Sequence, residues 1–261
     1  MKKILILLLS ASMLIVASCE KSEKESDRFS GCLLISVQSG EGSNYKPSRS
    51  FSYDEKGRIV EVKDEDGLVD QTYKYTANQI IRNGYLHVGS VINTYNLDAS
   101  GKVISSTERF PSNYLDADSD TEYIYNSEGF LIQVKRKGIS DNQSYVENYG
   151  YTNGNLTSTS GGFYKYKKVI YYNDDVDRWY FHNKNHSDGV RDVDPYLRNF
   201  FGKNSKNLIS KIEYFGEYGY GNYSENLLYE KDKSGNITKL NIIQKGHLTG
   251  RYDFFSNYKC K

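Results

Sequence analysis

Net charge is almost missing from this chain, since 34 Lys plus Arg set against 33 Asp plus Glu leave +1 over 261 residues. A protein that holds nucleic acid by its phosphates needs a basic excess, so that partner is set aside. Proline, methionine and tryptophan are scarce, at 3, 2 and 1 copies. No apolar stretch reaches the ~20 residues of a membrane-spanning helix. Chemical motifs are equally thin. There is no G-x-S-x-G elbow and no H-E-x-x-H pair, and Gly216-Glu-Tyr-Gly219-Tyr-Gly221 lacks the third glycine of a dinucleotide fingerprint. These absences disfavour a serine, metal or nucleotide enzyme, and no cofactor is expected.

What the chain has is tyrosine. Its 25 Tyr and 11 Phe sit among abundant Gly, Asn, Ser and Thr, a composition suited to pleated sheet and turns. Before that region comes an export signal: Met1-Lys2-Lys3, an apolar run from Ile4 to Leu9, then small residues. Val16-Ala17-Ser18-Cys19 resembles the bacterial lipobox, which implies cleavage after residue 18 and lipid on Cys19. Residues 20–30 (EKSEKESDRFS) have too little apolar surface to fold, so 19–30 is a tether of ~20 Å root-mean-square reach. Membrane contact is then expected through the lipid alone, at the periplasmic or the outer face of an outer membrane. Two cysteines remain, Cys32 at the start of the folded region and Cys260 at its end. In an oxidising envelope they form a candidate disulfide, with two buried thiols as the alternative.

Residues 31–261 read as one all-β domain built from a recurring unit: an aromatic pair, a polar turn with Gly or Asn, then an aliphatic residue. It appears as Phe51-Ser-Tyr53-Asp-Glu-Lys-Gly57-Arg-Ile59, Tyr95-Asn-Leu97-Asp-Ala-Ser-Gly101-Lys-Val103 and Tyr123-Ile-Tyr125-Asn-Ser-Glu-Gly129-Phe-Leu131. Asp or Asn opens such a turn and Gly supplies positive φ. Taking Gly57, Asn78, Gly101, Gly129 and Gly154 as register marks gives steps of 21, 23, 28 and 25 residues, enough for two strands and two turns each. The expectation is an antiparallel meander of about 14–16 strands curled into a barrel or half-barrel. Apolar residues two apart, such as Val60/Val62, Ile132/Val134 and Leu240/Ile242, mark one buried face. Glu61, Lys63, Gln133, Lys135 and Arg136 in the same runs disfavour a lipid-facing porin wall. One turn is replaced by an insertion at 173–203, whose Asp194-Pro195 precedes the sole expected short helix.

The tyrosine-turn units resemble the YD repeats of bacterial surface and toxin-shell proteins. Phe201-Gly202-Lys203-Asn204-Ser205-Lys206-Asn207-Leu208 resembles a segment of exported Bacteroidetes lipoproteins, a family of unknown function with a porin-like fold. The resemblance spans about residues 31–260 and implies a barrel, with no catalytic residues to carry over.

Candidate sites are weighed on their chemistry. His182 and His186 are four apart near acidic residues, yet Asn183-Lys184-Asn185 reads as loop. Asp116, Asp118 and Asp120 alternate as calcium ligands would, but Thr121 stands where an EF-hand needs Gly. Both are weak metal candidates. The repeated tyrosines Tyr53, Tyr75, Tyr125 and Tyr151 are expected to stack in cross-strand rows. A ligand surface is expected at Trp179, Tyr180, Phe181, Tyr214, Tyr218 and Tyr220, because aromatics on long Gly- and Asn-rich connections make rigid amphipathic contacts. The sequence thus points to a lipid-anchored envelope protein that binds a glycan or peptide without catalysis. The alternatives are a subunit of an outer-membrane protein complex and, third, a hydrolase with an unrecognised carboxylate pair.

Overall fold

The computed structural model describes residues 32–41, 44–86, 89–110, 118–139, 143–162, 166–176, 194–215, 222–246 and 250–260. Sixteen antiparallel strands follow in chain order: β1 (Cys32–Glu41), β2 (Asn44–Tyr53), β3 (Ile59–Lys63), β4 (Val69–Tyr75), β5 (Gln79–Leu86), β6 (Gly89–Leu97), β7 (Val103–Arg109), β8 (Ser119–Tyr125), β9 (Leu131–Gly138), β10 (Ser144–Thr152), β11 (Asn155–Gly161), β12 (Tyr166–Val176), β13 (Asn207–Phe215), β14 (Tyr223–Lys231), β15 (Ile237–Gly246) and β16 (Gly250–Cys260). Each pairs with its chain neighbours, and β16 pairs back onto β1, so the barrel is closed. Cys32 is disulfide-bonded, and Cys260 lies opposite it in the closing ladder.

Five turns share one hydrogen-bond pattern. In each, the side-chain oxygen of an opening Asp or Asn accepts from the backbone N–H groups two and four residues on. This holds for Asp54, Asp64, Asp98, Asn126 and Asp232. The glycine three residues on takes positive φ, from 75° at Gly57 to 90° at Gly129. Four of these turns join an even strand to the next odd one and so gather at one end of the barrel, together with the start of β1 and the end of β16.

After nearly every turn at that end the strict two-residue alternation breaks. The register skips one residue near the start of the odd strand, as between Leu131 and Gln133 opposite Tyr125 and Ile124. Buried positions therefore fall three apart: Leu34/Val37, Val103/Ser106, Leu131/Val134, Leu156/Thr159, Ile209/Ile212 and Ile237/Leu240. The expected inward pair Ile132/Val134 is corrected to Leu131/Val134, because the bulge turns Ile132 off the core face. Such bulges sharpen strand bending, which helps so wide a sheet to close.

The recurrent tyrosine in the second half of an even strand points inward and donates its hydroxyl to a carbonyl near the start of the preceding odd strand. Tyr53 donates to Leu34, Tyr75 to Ile59, Tyr125 to Val103, Tyr172 to Leu156, Tyr229 to Ile209 and Tyr258 to Ile237, all at 2.6–3.0 Å. The hydroxyl bond, more than the expected ring stacking, accounts for tyrosine at this register. It satisfies a carbonyl beside the bulge that the ladder serves poorly.

The barrel's polarity is inside out relative to a membrane pore. Buried Val37, Val62, Ile80, Tyr95, Tyr123, Leu156, Ile212 and Ile242 line the lumen as one core. From β4 to β10 one outward row is Lys74, Ile81, Thr94, Thr107, Asp120, Lys137 and Ser144. The next is Gln79, Asn96, Ser105, Glu122, Lys135 and Val146. These side chains bond along the wall, Gln79 to Asn96, Asn96 to Ser105 and Lys135 to Glu122.

The turns carry a pH signature. Hydrogen bonds from the Ser100 hydroxyl and the Lys102 N–H hold the Asp98 carboxyl below its usual range, and the Asn236 amide does the same for Asp232. At Asp54 desolvation opposes the shift, and the Arg58 N–H and guanidinium outweigh it. A carboxyl lowered in the folded state stabilises fully above its unfolded pKa of about 4, and that stability drains as pH falls through the folded value. Asn126 shows that asparagine builds the same turn. The triple variant Asp54→Asn, Asp98→Asn, Asp232→Asn is therefore expected to lose less Tm between pH 7 and pH 3 than the wild type, as read by circular dichroism.

Candidate functional site

The missing turn between β12 and β13 supplies the barrel's filling. Residues 194–206 lie within the turn end of the lumen. Asp194 caps a short 3₁₀ helix (Pro195–Phe200), accepting from the Tyr196 N–H at 2.9 Å, with proline at the first helical position. The sequence expectation of a helix after Asp194-Pro195 matches this element; its insertion begins later than residue 173, because β12 runs on to Val176. Leu197 is wholly buried. Tyr196 packs on Phe51 and Tyr73, Phe200 stacks on Tyr75 at 5.8 Å, and Phe201 meets Tyr123 edge-on at 5.0 Å.

Polar contacts fix the depth of this plug. The Asp194 carboxylate, 1% exposed, accepts from the Tyr73 hydroxyl at 3.0 Å and pairs with Arg82 at 3.3 Å. Burial, with Asp194 beside it, drives the Tyr73 hydroxyl far above the ordinary tyrosine range. Burial works against the charge on Arg82, yet the Asp194 carboxylate beside it keeps it protonated. Further on, the Lys203 and Lys206 N–H groups donate to the Gly129 and Gly154 carbonyls, and Ser205 Oγ accepts from the Leu156 N–H. Asn155 and Asn207 bond reciprocally. The segment Phe201–Leu208 thus stitches the plug across successive turns.

Between the plug helix and the β1–β4 wall lies a cleft of about 160 Å³. Leu34, Ile59, Tyr53, Tyr75, Phe200 and Tyr258 give it apolar and aromatic walls, and Lys56, Arg58 and Arg198 stand among its lining. The Arg58 guanidinium sits 4.1 Å over the Tyr75 ring while paired with Asp54 at 2.6 Å. Burial lifts the Tyr258 hydroxyl to about 12, so it stays neutral at physiological pH. Walls of this kind hold an apolar body, and the cationic members favour an anionic edge.

Of the sequence-predicted ligand patch, Tyr214 alone falls among the described residues. Trp179, Tyr180, Phe181, Tyr218 and Tyr220 lie outside the described residues, as do Cys19, His182, His186 and Asp116. Tyr214 stacks on Tyr223 at 4.2 Å and donates to Glu225, which makes it part of the barrel wall. Asp120 pairs with Arg109 at 2.7 Å, and Asp118 lies 3.9 Å from the same guanidinium while accepting from the Phe110 N–H. Among the described residues no three His, Cys, Asp or Glu converge as metal ligands. Sequence reasoning missed the cleft, because its walls come from β1, the β2–β3 turn, β4, the plug and β16.

No protein-family profile and no curated protein matches the sequence. Solved structures match by shape. A porin-like protein from Bacteroides uniformis ATCC 8492 superposes with a TM-score of 0.64 at 13% identity, over 88% of this chain and 97% of that one. Another from Bacteroides vulgatus ATCC 8482 gives 0.63 at 18% identity, over 87% and 98%. This chain has a porin-like fold. Likeness at such identity speaks for architecture alone, and function has to be argued from the residues.

Gly202 makes the plug testable. Its φ is +83°, and a Cβ there would lie 2.4 Å from the Gly129 carbonyl oxygen and 2.8 Å from the Tyr125 ring. Gly202→Ala combines backbone strain with a clash and is expected to cost about 3 kcal/mol or more in a urea unfolding titration. Gly67→Ala, at φ +76° with nothing within 4 Å, isolates the backbone strain and is expected to cost about 1–2 kcal/mol.

Proposed function

We propose that this protein is a water-immersed barrel of the cell envelope, tethered through lipid on Cys19, that works by binding and not by conducting or catalysing. The observation that carries this reading is the inverted polarity. A lipid-facing wall needs an apolar band about 25 Å tall, and each mid-membrane Lys or Arg costs roughly 2–4 kcal/mol. The outward rows through Asp120/Lys137 and Glu122/Lys135 lack such a band, while the lumen is occupied by an apolar core and by residues 194–206. A disulfide at Cys32 suits an oxidising envelope compartment.

The ligand chemistry that fits is an aromatic or aliphatic body with one negative group, seated in the cleft. Its body would lie against Phe200, Tyr53 and Tyr258, with its charge toward Lys56 and Arg198. The cleft is chosen over the expected glycan or peptide surface at Trp179 because its walls lie among the described residues, whereas Trp179 lies outside them.

The test uses the full-length protein. Added to planar lipid bilayers, it is expected to produce no conductance steps. With 1-anilinonaphthalene-8-sulfonate as probe, an apolar body bearing one sulfonate, it is expected to show one saturable site. The variant Lys56→Gln, at an exposed position, should weaken that site several-fold without lowering Tm. Discrete ion-conducting steps, or probe binding that neither saturates nor responds to the variant, would contradict the proposal.

A further inference from the structure

Above the plug, toward the end of the barrel opposite the turns, one inward row crosses four adjacent strands. Arg82 on β5 pairs with Asn93 on β6, Asn93 with Glu108 on β7, and Glu108 with Ser119 on β8. The row is built into the wall. Asn93 Nδ2 donates to Glu108 Oε1 at 3.0 Å, Arg136 donates to Glu108 Oε2 at 2.7 Å, and Arg82 is held by Asp194. Its charges cancel in two pairs, Arg82 with Asp194 and Arg136 with Glu108.

Three atoms of this row are nevertheless buried with no hydrogen-bond partner among the described residues: Arg82 Nε, Asn93 Oδ1 and Ser119 Oγ. Asn93 is 6% exposed and Ser119 2%. Leaving buried donors and acceptors unpaired is costly, and a barrel with free choice of residue would place apolar side chains there, as it does at Ile80 and Val134. The three atoms are one donor, one acceptor and one hydroxyl able to be either. Arg82 and Glu108, at 19% and 20% exposed, are the members of the row that reach solvent, with Arg136 of β9 beside Glu108 at 28%.

We propose that this row is a binding strip for a neutral polyhydroxylated solute, a short oligosaccharide by chemical class. A sugar hydroxyl accepts and donates at once, so one can take the Arg82 N–H while giving its own hydrogen to the neighbouring Asn93 carbonyl. The internally balanced charges leave no demand for an ionic ligand. Adjacent strands are ~4.8 Å apart, so Arg82 and Ser119 stand ~14 Å apart along the wall, a span that suits linked sugar rings better than a single small molecule. None of these four residues lines the turn-end cleft, so the strip stands whether or not that site binds.

The experiment titrates full-length protein, in a detergent without sugar headgroups, with maltotriose, cellotriose, xylotriose, mannotriose and chitotriose by calorimetry. At least one is expected to bind saturably at one to one. Ser119→Ala, nearly isosteric and safe for the fold, should weaken it about tenfold, and Asn93→Leu likewise. Lys56→Gln in the cleft should leave it unchanged. Absence of saturable binding by all five, or binding untouched by Ser119→Ala, would overturn the proposal, as would a crystal soaked in the same sugars showing isolated waters alone on the three atoms.

Discussion

A ring of sixteen strands encloses more space than its own aliphatic side chains can fill, and the filling of that space is the constraint on which this structure depends. Two devices meet it. Large aromatics stand inward at the ends of the even strands, at Phe51, Tyr73, Tyr95, Tyr123 and Tyr149. The chain then spends one turn on a plug, residues 194–206, whose Tyr196, Leu197, Phe200 and Phe201 reach into the gap those aromatics leave. With the apolar volume inside, the outer wall is free to be polar.

The repeat is better understood as a hydrogen-bonding unit than as a motif of letters. An Asp or Asn side chain closes the turn, glycine takes the left-handed step, a bulge bends the odd strand, and a tyrosine hydroxyl caps a carbonyl near that bulge. Each device answers a problem made by the one before. The same logic explains Phe201–Leu208, whose backbone amides take the carbonyls of Gly129 in the β8–β9 turn and Gly154 in the β10–β11 turn, and whose Ser205 and Asn207 side chains accept from donors on β11.

Much of the architecture was legible because it is local. Asx-to-glycine turns, their spacing and the Asp194-Pro195 helix start lie within five residues each, and they mark strands and insertion alike. The pairing Ile132/Val134 misled, since a bulge is invisible to a strict period of two. Tyrosine's role at Tyr75 or Tyr125 was half legible: the recurrence showed in sequence, but the carbonyl acceptor lies on another strand. The cleft and the row from Arg82 to Ser119 were not legible at all. Their members are tens of residues apart and come together through register, which no single segment encodes.

The central claim is that water, and not lipid, surrounds this barrel, and labelling the outer wall of the intact protein on membranes tests it most directly. Nitroxide spin labels at Thr107, Glu122 and Asn148, with the protein bound to vesicles, would be probed by relaxation with a water-soluble nickel chelate and with oxygen. The account predicts that all three positions respond to the nickel chelate as freely as an aqueous site does. A band of positions shielded from nickel and enhanced by oxygen would mean that lipid touches the wall, and would contradict it.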